Sequence, residues 1–219
     1  MTKKNLVLTV SAVLILSFSL GTYAYKQHRV KTLGFMAKEN ASTFVREHSK
    51  SLGPDEAKVY LVEFMDPACE TCAAFFPFTK QLMAAHPGKI KLVLRYAPFH
   101  PGADQFVKIL EAAGKQGKYW ETLQLMLASQ EYWASHHQPR PEQLWQILPQ
   151  AGLDLDRLRS DMNDPAIARL IEQDMADAKT LQVQKTPGFF VNGKPLVRFG
   201  YEQLQQLVES EVRAAYPNQ

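Results

Sequence analysis

The sequence predicts an α/β domain in which a β-α-β unit and a later β-β-α unit build one sheet, with a helical subdomain inserted between them. Three observations carry this. Apolar runs at Lys58–Met65 and Lys89–Tyr96 bracket a helical stretch. Helical periodicity then extends from about 102 to 182. Finally, Asn192-Gly193 sits between apolar segments, a strong type I′ hairpin signal. A chain of 219 residues has room for one medium domain plus a targeting segment, and 46% hydrophobic content suffices for a core.

Lys3 and Lys4 precede an uncharged run from Asn5 to Tyr25, strongest over Leu6–Leu20. Residues 6–25 have the ~20 apolar residues of a membrane anchor. Tyr23 and Tyr25 suit an interface, and Lys26, His28, Arg29 and Lys31 resemble a stop-transfer flank. These features favour a retained signal-anchor over residues 1–25; the alternative is a cleaved signal peptide ending near Thr22-Tyr23-Ala24. Residues 26–57 read as a tether, with a short helix near Ala37–Glu47 and a turn at Leu52-Gly53-Pro54-Asp55.

The domain then runs over 58–217. Val59, Leu61, Val62 and Phe64 form a run too apolar for an exposed edge, so this strand is placed centrally. Asp66-Pro67-Ala68 breaks it, and a helix follows from about Cys69 to Ala85, with Phe75, Phe76, Leu82 and Met83 as core candidates. Pro77 is expected to kink it and His86-Pro87-Gly88 to end it. Ile90, Leu92, Val93 and Leu94 mark the second strand, joined by a right-handed parallel crossover. In the insert, Phe106, Ile109, Leu110 and Ala113 recur at helical spacing, as do Leu123, Met126 and Leu127, and Leu144, Ile147 and Leu148. Asp164-Pro165 is an N-cap followed by proline at the first helical position. Gly188–Val191 and Leu196–Phe199 are the expected hairpin strands, and Tyr201–Ala215 is a final amphipathic helix.

Net charge is +3, but Lys3 and Lys4 supply two of the 25 basic residues against 22 acidic ones, so the remainder is close to neutral. That leaves no electrostatic footprint for nucleic acid.

The only cysteines are Cys69 and Cys72. A disulfide framework needs more of them, and no second pair exists to complete a zinc site. Cys69 falls where strand gives way to helix, where free N–H groups and the dipole favour a thiolate. Cys72, one turn on, lies about 5–6 Å away, within reach of a disulfide. Cys69, nearer the tip, is expected to be the exposed nucleophile and Cys72 the buried resolving thiol. The adjacent Glu70 and the preceding Asp66 are expected to disfavour that thiolate and make the couple more reducing. A metal half-site or an inert pair are the other readings of C-x-x-C. His100 is expected to be a loop hydrogen-bond donor, His136-His137 a solvated loop, and Trp120, Tyr132, Trp133 and Trp145 mainly core.

Val62-Glu63-Phe64-Met65-Asp66-Pro67-Ala68-Cys69-Glu70-Thr71-Cys72 resembles the active-site strand and helix of DsbA-like thioredoxin-fold proteins. Thr186-Pro187-Gly188-Phe189-Phe190-Val191-Asn192-Gly193-Lys194 is similar to that family's cis-proline loop and hairpin. Arg95 through Pro101 and Gly117-Lys118-Tyr119-Trp120-Glu121 resemble its second strand and insert, so the likeness covers residues 48–216. It implies a thioredoxin-like fold with a helical insert, and a protein thiol–disulfide oxidoreductase needing no metal or organic cofactor. It assigns Cys69 as nucleophile, Cys72 as resolving cysteine and Pro187 as the cis-proline. The Thr186 backbone would pair with an extended substrate peptide. Glu63 would be the buried acid serving as proton relay to Cys72, with its pKa raised by burial.

The implied partners are cysteine-containing exported proteins and a membrane redox partner. The implied location is the bacterial inner membrane with the domain in the periplasm, or a soluble periplasmic form after cleavage. The sequence departs from the family at Glu70, where proline is frequent, and at Thr71, where strong oxidants carry histidine. A reductase or isomerase, or a non-enzymatic chaperone or copper carrier, are the alternatives.

Overall fold

The computed structural model describes residues 5, 11–25, 27–28, 43–135 and 138–217. The strands are β1 (Lys50–Leu52), β2 (Val59–Met65), β3 (Ile90–Tyr96), β4 (Gly188–Val191) and β5 (Lys194–Pro195). Helix α1 (Glu70–Ala85) joins β2 to β3. The insert comprises α2 (Asp104–Lys115), α3 (Tyr119–Ala128), α4 (Gln130–Trp133), α5 (Pro141–Ile147), a 3-10 turn (Leu148–Ala151), α6 (Leu155–Asp161) and α7 (Pro165–Thr180). Helix α8 (Tyr201–Ala215) closes the domain.

The sheet order is β1-β3-β2-β4-β5. β2 and β3 pair in parallel, as a β-α-β crossover requires, and β4 pairs antiparallel to β2 with Glu63 opposite Phe189. β2 is therefore central, which its apolar run foretold. Strand alternation sends Val59, Leu61 and Met65 to one face and Val62 and Phe64 to the other. The first face packs against α1, α8 and the insert, where Phe75, Leu110, Leu123, Leu144 and Leu204 meet in one core. The second is covered by Phe44, Ala178 and Leu181. Glu63 has the parity of Leu61 and Met65, so it lies beneath α1.

Several expectations need correction. Residues 50–52 are not a tether but an edge strand antiparallel to β3. In the expected helix at 37–47, residues 37–42 lie outside the described ones, Thr43 belongs to a 3-10 turn, and 44–47 are not helical. Phe44 instead packs against Phe190, ring centroids 5.0 Å apart. The hairpin partner is Lys194–Pro195 rather than Leu196–Phe199, because a two-residue turn with positive φ at Asn192 and Gly193 pairs Val191 directly with Lys194. The expected span at 6–25 is described as helix over 11–25, and residues 6–10 lie outside the description. Among the described residues no helix is long and apolar enough to cross a membrane. His136 and His137 also lie outside the described residues.

Arg95 was not anticipated. It sits on β3 facing α7, fully buried, and its guanidinium donates to Asp174 and Asp177 at 2.6 Å. Arg46 donates to Asp177 at 2.8 and 2.7 Å, His48 Nε2 lies 2.6 Å from Asp174, and the Tyr96 N–H donates to Asp174 at 2.7 Å.

Candidate redox-active site

β2 delivers the chain into a turn at Asp66-Pro67-Ala68. The Asp66 carboxylate accepts from the Ala68 N–H and the His100 N–H, both at 2.8 Å, and lies 2.8 Å from His100 Nδ1. The Cys69 N–H closes the turn onto the Asp66 carbonyl at 3.0 Å. Cys69 is the N-cap of α1, with extended backbone (φ −81, ψ 118), and Cys72 lies one turn in. His100 thus has the loop role expected of it.

Both thiols are free. The expectation of an exposed Cys69 is corrected: it is 5% exposed against 1% for Cys72, because the Pro187 loop covers it. Its Sγ donates to the Thr186 carbonyl at 3.4 Å. A hydrogen bond from Cys72 is the main cause that lowers the Cys69 pKa to about 5. Burial opposes this, while the Thr186 side chain and the backbone N–H groups of Cys72 and Thr71 assist. The expected disfavouring of this thiolate by Asp66 and Glu70 is not among the influences that set it. Asp66 is occupied by its own donors, and Glu70 is exposed. Burial, reinforced by Cys69, pushes the Cys72 thiol well above its ordinary value.

Glu63 is 1% exposed, and its Oε2 has no hydrogen-bond partner among the described residues. Burial first, and the charge of Cys69 second, raise its pKa to about 8, so the carboxyl is protonated at neutral pH. Glu63 in turn acts on the Cys72 thiol. The sequence-named residues Cys69, Cys72 and Glu63 therefore form one electrostatic unit, with Thr186 against Cys69.

The Thr186–Pro187 peptide is cis. Beside it runs a groove of about 570 Å³ whose lining includes Thr71, Val183, Pro187, Leu196 and Phe199. Phe75 stacks on Tyr201 at 4.2 Å and contacts Phe199 at 4.8 Å, and both partners are about half exposed. Sequence reading missed this aromatic wall; the available signal was Phe199-Gly200-Tyr201 directly after the hairpin. Of the aromatic residues weighed from the sequence, Trp133 is fully buried and Tyr132 is 48% exposed. Among the described residues no cluster of His, Cys, Asp or Glu is placed to hold a metal ion.

The family model described as thioredoxin matches residues 46–210, a span containing the redox turn, the insert and the cis-proline loop. The chain belongs to the thioredoxin family. Among solved structures, it is 29% identical to a thioredoxin-like oxidoreductase from Silicibacter pomeroyi, covering 80% of this chain and 99% of that one, with a TM-score of 0.69. The thiol-disulfide exchange protein alpha-DsbA2 from Wolbachia pipientis shares the fold at a TM-score of 0.71 and 21% identity, with 84% and 97% of the two chains covered. The cysteine pair at the start of α1 and the cis-proline loop beside it therefore sit in a thioredoxin fold. The chain is also 32% identical over 144 residues to a Na(+)/H(+) antiporter NhaA from Herminiimonas arsenicoxydans. That match covers 66% of this chain but only 22% of the antiporter, so the chain spans about a fifth of that relative's length.

Proposed function

We propose that this protein oxidises pairs of thiols in exported proteins through its Cys69–Cys72 couple. The observation that carries this is the split between the two thiols: Cys69 held near pKa 5 and Cys72 pushed well up. At pH 7, a nucleophile at about 5 instead of 9 favours the reduced form by about 100-fold, which makes the couple more oxidising by about 60 mV.

In the oxidised protein a substrate thiolate attacks Cys69 Sγ. The Cys69–Cys72 bond breaks, and the electron pair leaves on Cys72. The protonated Glu63 carboxyl supplies the proton that this buried sulfur needs and then recovers one from solvent. A second substrate thiolate attacks the mixed disulfide, and Cys69 departs as a stabilised thiolate. The substrate gains a disulfide, and the protein holds the two electrons as its reduced pair. The substrate segment lies extended along the Thr186-Pro187 loop, pairing with the Thr186 backbone.

The reaction suits an oxidising compartment, and the apolar N-terminal segment supports export to the bacterial periplasm. Residues such as Leu14, Leu16 and Phe18 are more than 60% exposed on that helix, which suits contact with the inner membrane if the segment is retained. A membrane redox partner would then reoxidise the couple.

The test is trapping. Cys72→Ser should accumulate mixed disulfides with other proteins, whereas Cys69→Ser should form none. Equal trapping by both variants would sink the assignment. Oxidative refolding of a reduced test protein should also outpace insulin reduction; the reverse ranking would favour the reductase alternative.

A further inference from the structure

We propose that Gln130 is a positioning residue for thiol–disulfide exchange, the point at which the helical subdomain clamps the turn that presents Cys69. Gln130 opens α4 and is 4% exposed. Its Nε2 donates to the Pro67 carbonyl at 2.8 Å and to the Cys69 carbonyl at 3.1 Å, so both amide hydrogens are spent on the redox turn. These carbonyls flank Ala68, whose N–H is held by the Asp66 carboxylate at 2.8 Å. The turn is therefore tied on its carbonyl side by the insert and on its N–H side by its own aspartate.

The clamp is mounted rigidly. Two residues on from Gln130, Tyr132 is followed by Trp133, which is fully buried, donates from its indole to the Met126 carbonyl at 2.8 Å and packs on Phe106 with centroids 4.5 Å apart. On the other side, Ser129 Oγ donates to the Leu125 carbonyl at 2.7 Å. A group that must face two carbonyls at once has to bring two donors and no charge, which an amide does and a carboxylate or thioether does not. The turn fixes where Cys69, the N-cap of α1, sits beside the first helix N–H groups and the Thr186 carbonyl that its Sγ reaches at 3.4 Å, and a slack turn would let the sulfur drift from both.

This inference rests on the reading of Cys69 as the attacking thiol. Gln130→Met keeps the side-chain volume and removes both donors. By thiolate absorbance, Cys69 should titrate about half to one pH unit higher, and equilibrium with glutathione should move about 3–10-fold toward the oxidised protein. A purely structural role would instead lower the Tm of both redox forms alike and leave the titration and the equilibrium unmoved, which overturns the proposal. If Gln130→Met does not fold, Gln130→Asn keeps the amide but withdraws it by one carbon, and the same two measurements decide. Cys69→Ser separates the two levels. Retained exchange activity in Cys69→Ser refutes the reading of the site. Inactive Cys69→Ser, alongside Gln130 variants that titrate like the parent, refutes the clamp alone.

Discussion

Beneath the redox helix, Glu63 is buried with Oε2 unpartnered; across the same sheet, Asp174 and Asp177 are equally buried but wrapped by Arg95, Arg46 and His48. The same chemical group behaves in opposite ways in the two places. Burial drives Glu63 up to about 8 because no cation answers it. Burial also pushes Asp177 upward, but hydrogen bonds from Arg46 and Arg95 outweigh it and hold the carboxyl below its ordinary range. Compensation gives a fixed charge, which suits a structural joint between β3, α7 and the segment before β1. Its absence gives a group that exchanges a proton near neutral pH, which suits a relay.

Removing the compensating cation is the strongest way to break this contrast. Arg95→Met leaves two carboxylates buried on the α7 face and is expected to cost about 3–5 kcal/mol of stability in urea unfolding. The glutathione equilibrium should stay within about twofold of the parent, because the network lies on the far face from the thiols. A variant as stable as the parent would show that the guanidinium does not offset those charges.

Glu63 yields the next largest effect, and its sign follows from proton linkage. The folded protein holds this proton up to about pH 8, whereas an ordinary glutamate releases it at 4.5, so stability falls as pH rises through that window. The loss reaches on the order of 4 kcal/mol at pH 8. Cys69 acts oppositely in the reduced protein: its pKa is depressed from 9 to about 5, so its contribution grows as pH rises between those values. The slope is therefore to be read in a Cys69→Ser background. There, adding Glu63→Gln should flatten the fall and leave the protein more stable at pH 8. Parallel pH profiles with and without Glu63→Gln would remove the uncompensated carboxyl from the account.

The smallest effect belongs to an exposed carboxylate. Glu70→His replaces a negative neighbour of Cys69 that water already screens, so the reduction potential should rise by only about 15–30 mV. An unchanged or lower potential would confine the tuning of this thiol to Cys72, Thr186 and the helix N–H groups.

The two faces also differ in how far they could be read in the sequence. The redox face was legible because its signals are local: the apolar strand at 59–65, two cysteines one turn apart, and Thr186-Pro187 before a hairpin turn. Glu63 stood out as an acid inside an apolar run. The compensated face joins residues far apart in the chain; Arg95 meets partners 79 and 82 residues away. Its trace was present nonetheless. Arg95 interrupts a buried strand, and Asp174 and Asp177 share a helical face by their i, i+3 spacing, beside Ala178 and Leu181. Gln130 left no such trace, since a single amide in a polar stretch looks like surface until the turn it holds is in view. β1 was too short to show a period.

The shortness of the outer strands governs what can join the sheet from outside. β1 offers three residues and ends at Leu52, before Gly53, whose φ of +108 turns the chain away ahead of Pro54. β5 offers two, and Pro195 has no N–H to give. Neither margin makes a template for another copy of the chain, so growth by edge-to-edge stacking is discouraged at both ends. On the proposed function, a visiting extended segment would find its backbone partner instead at Thr186, inside the cleft, where adding a strand would also bring a sulfur to Cys69.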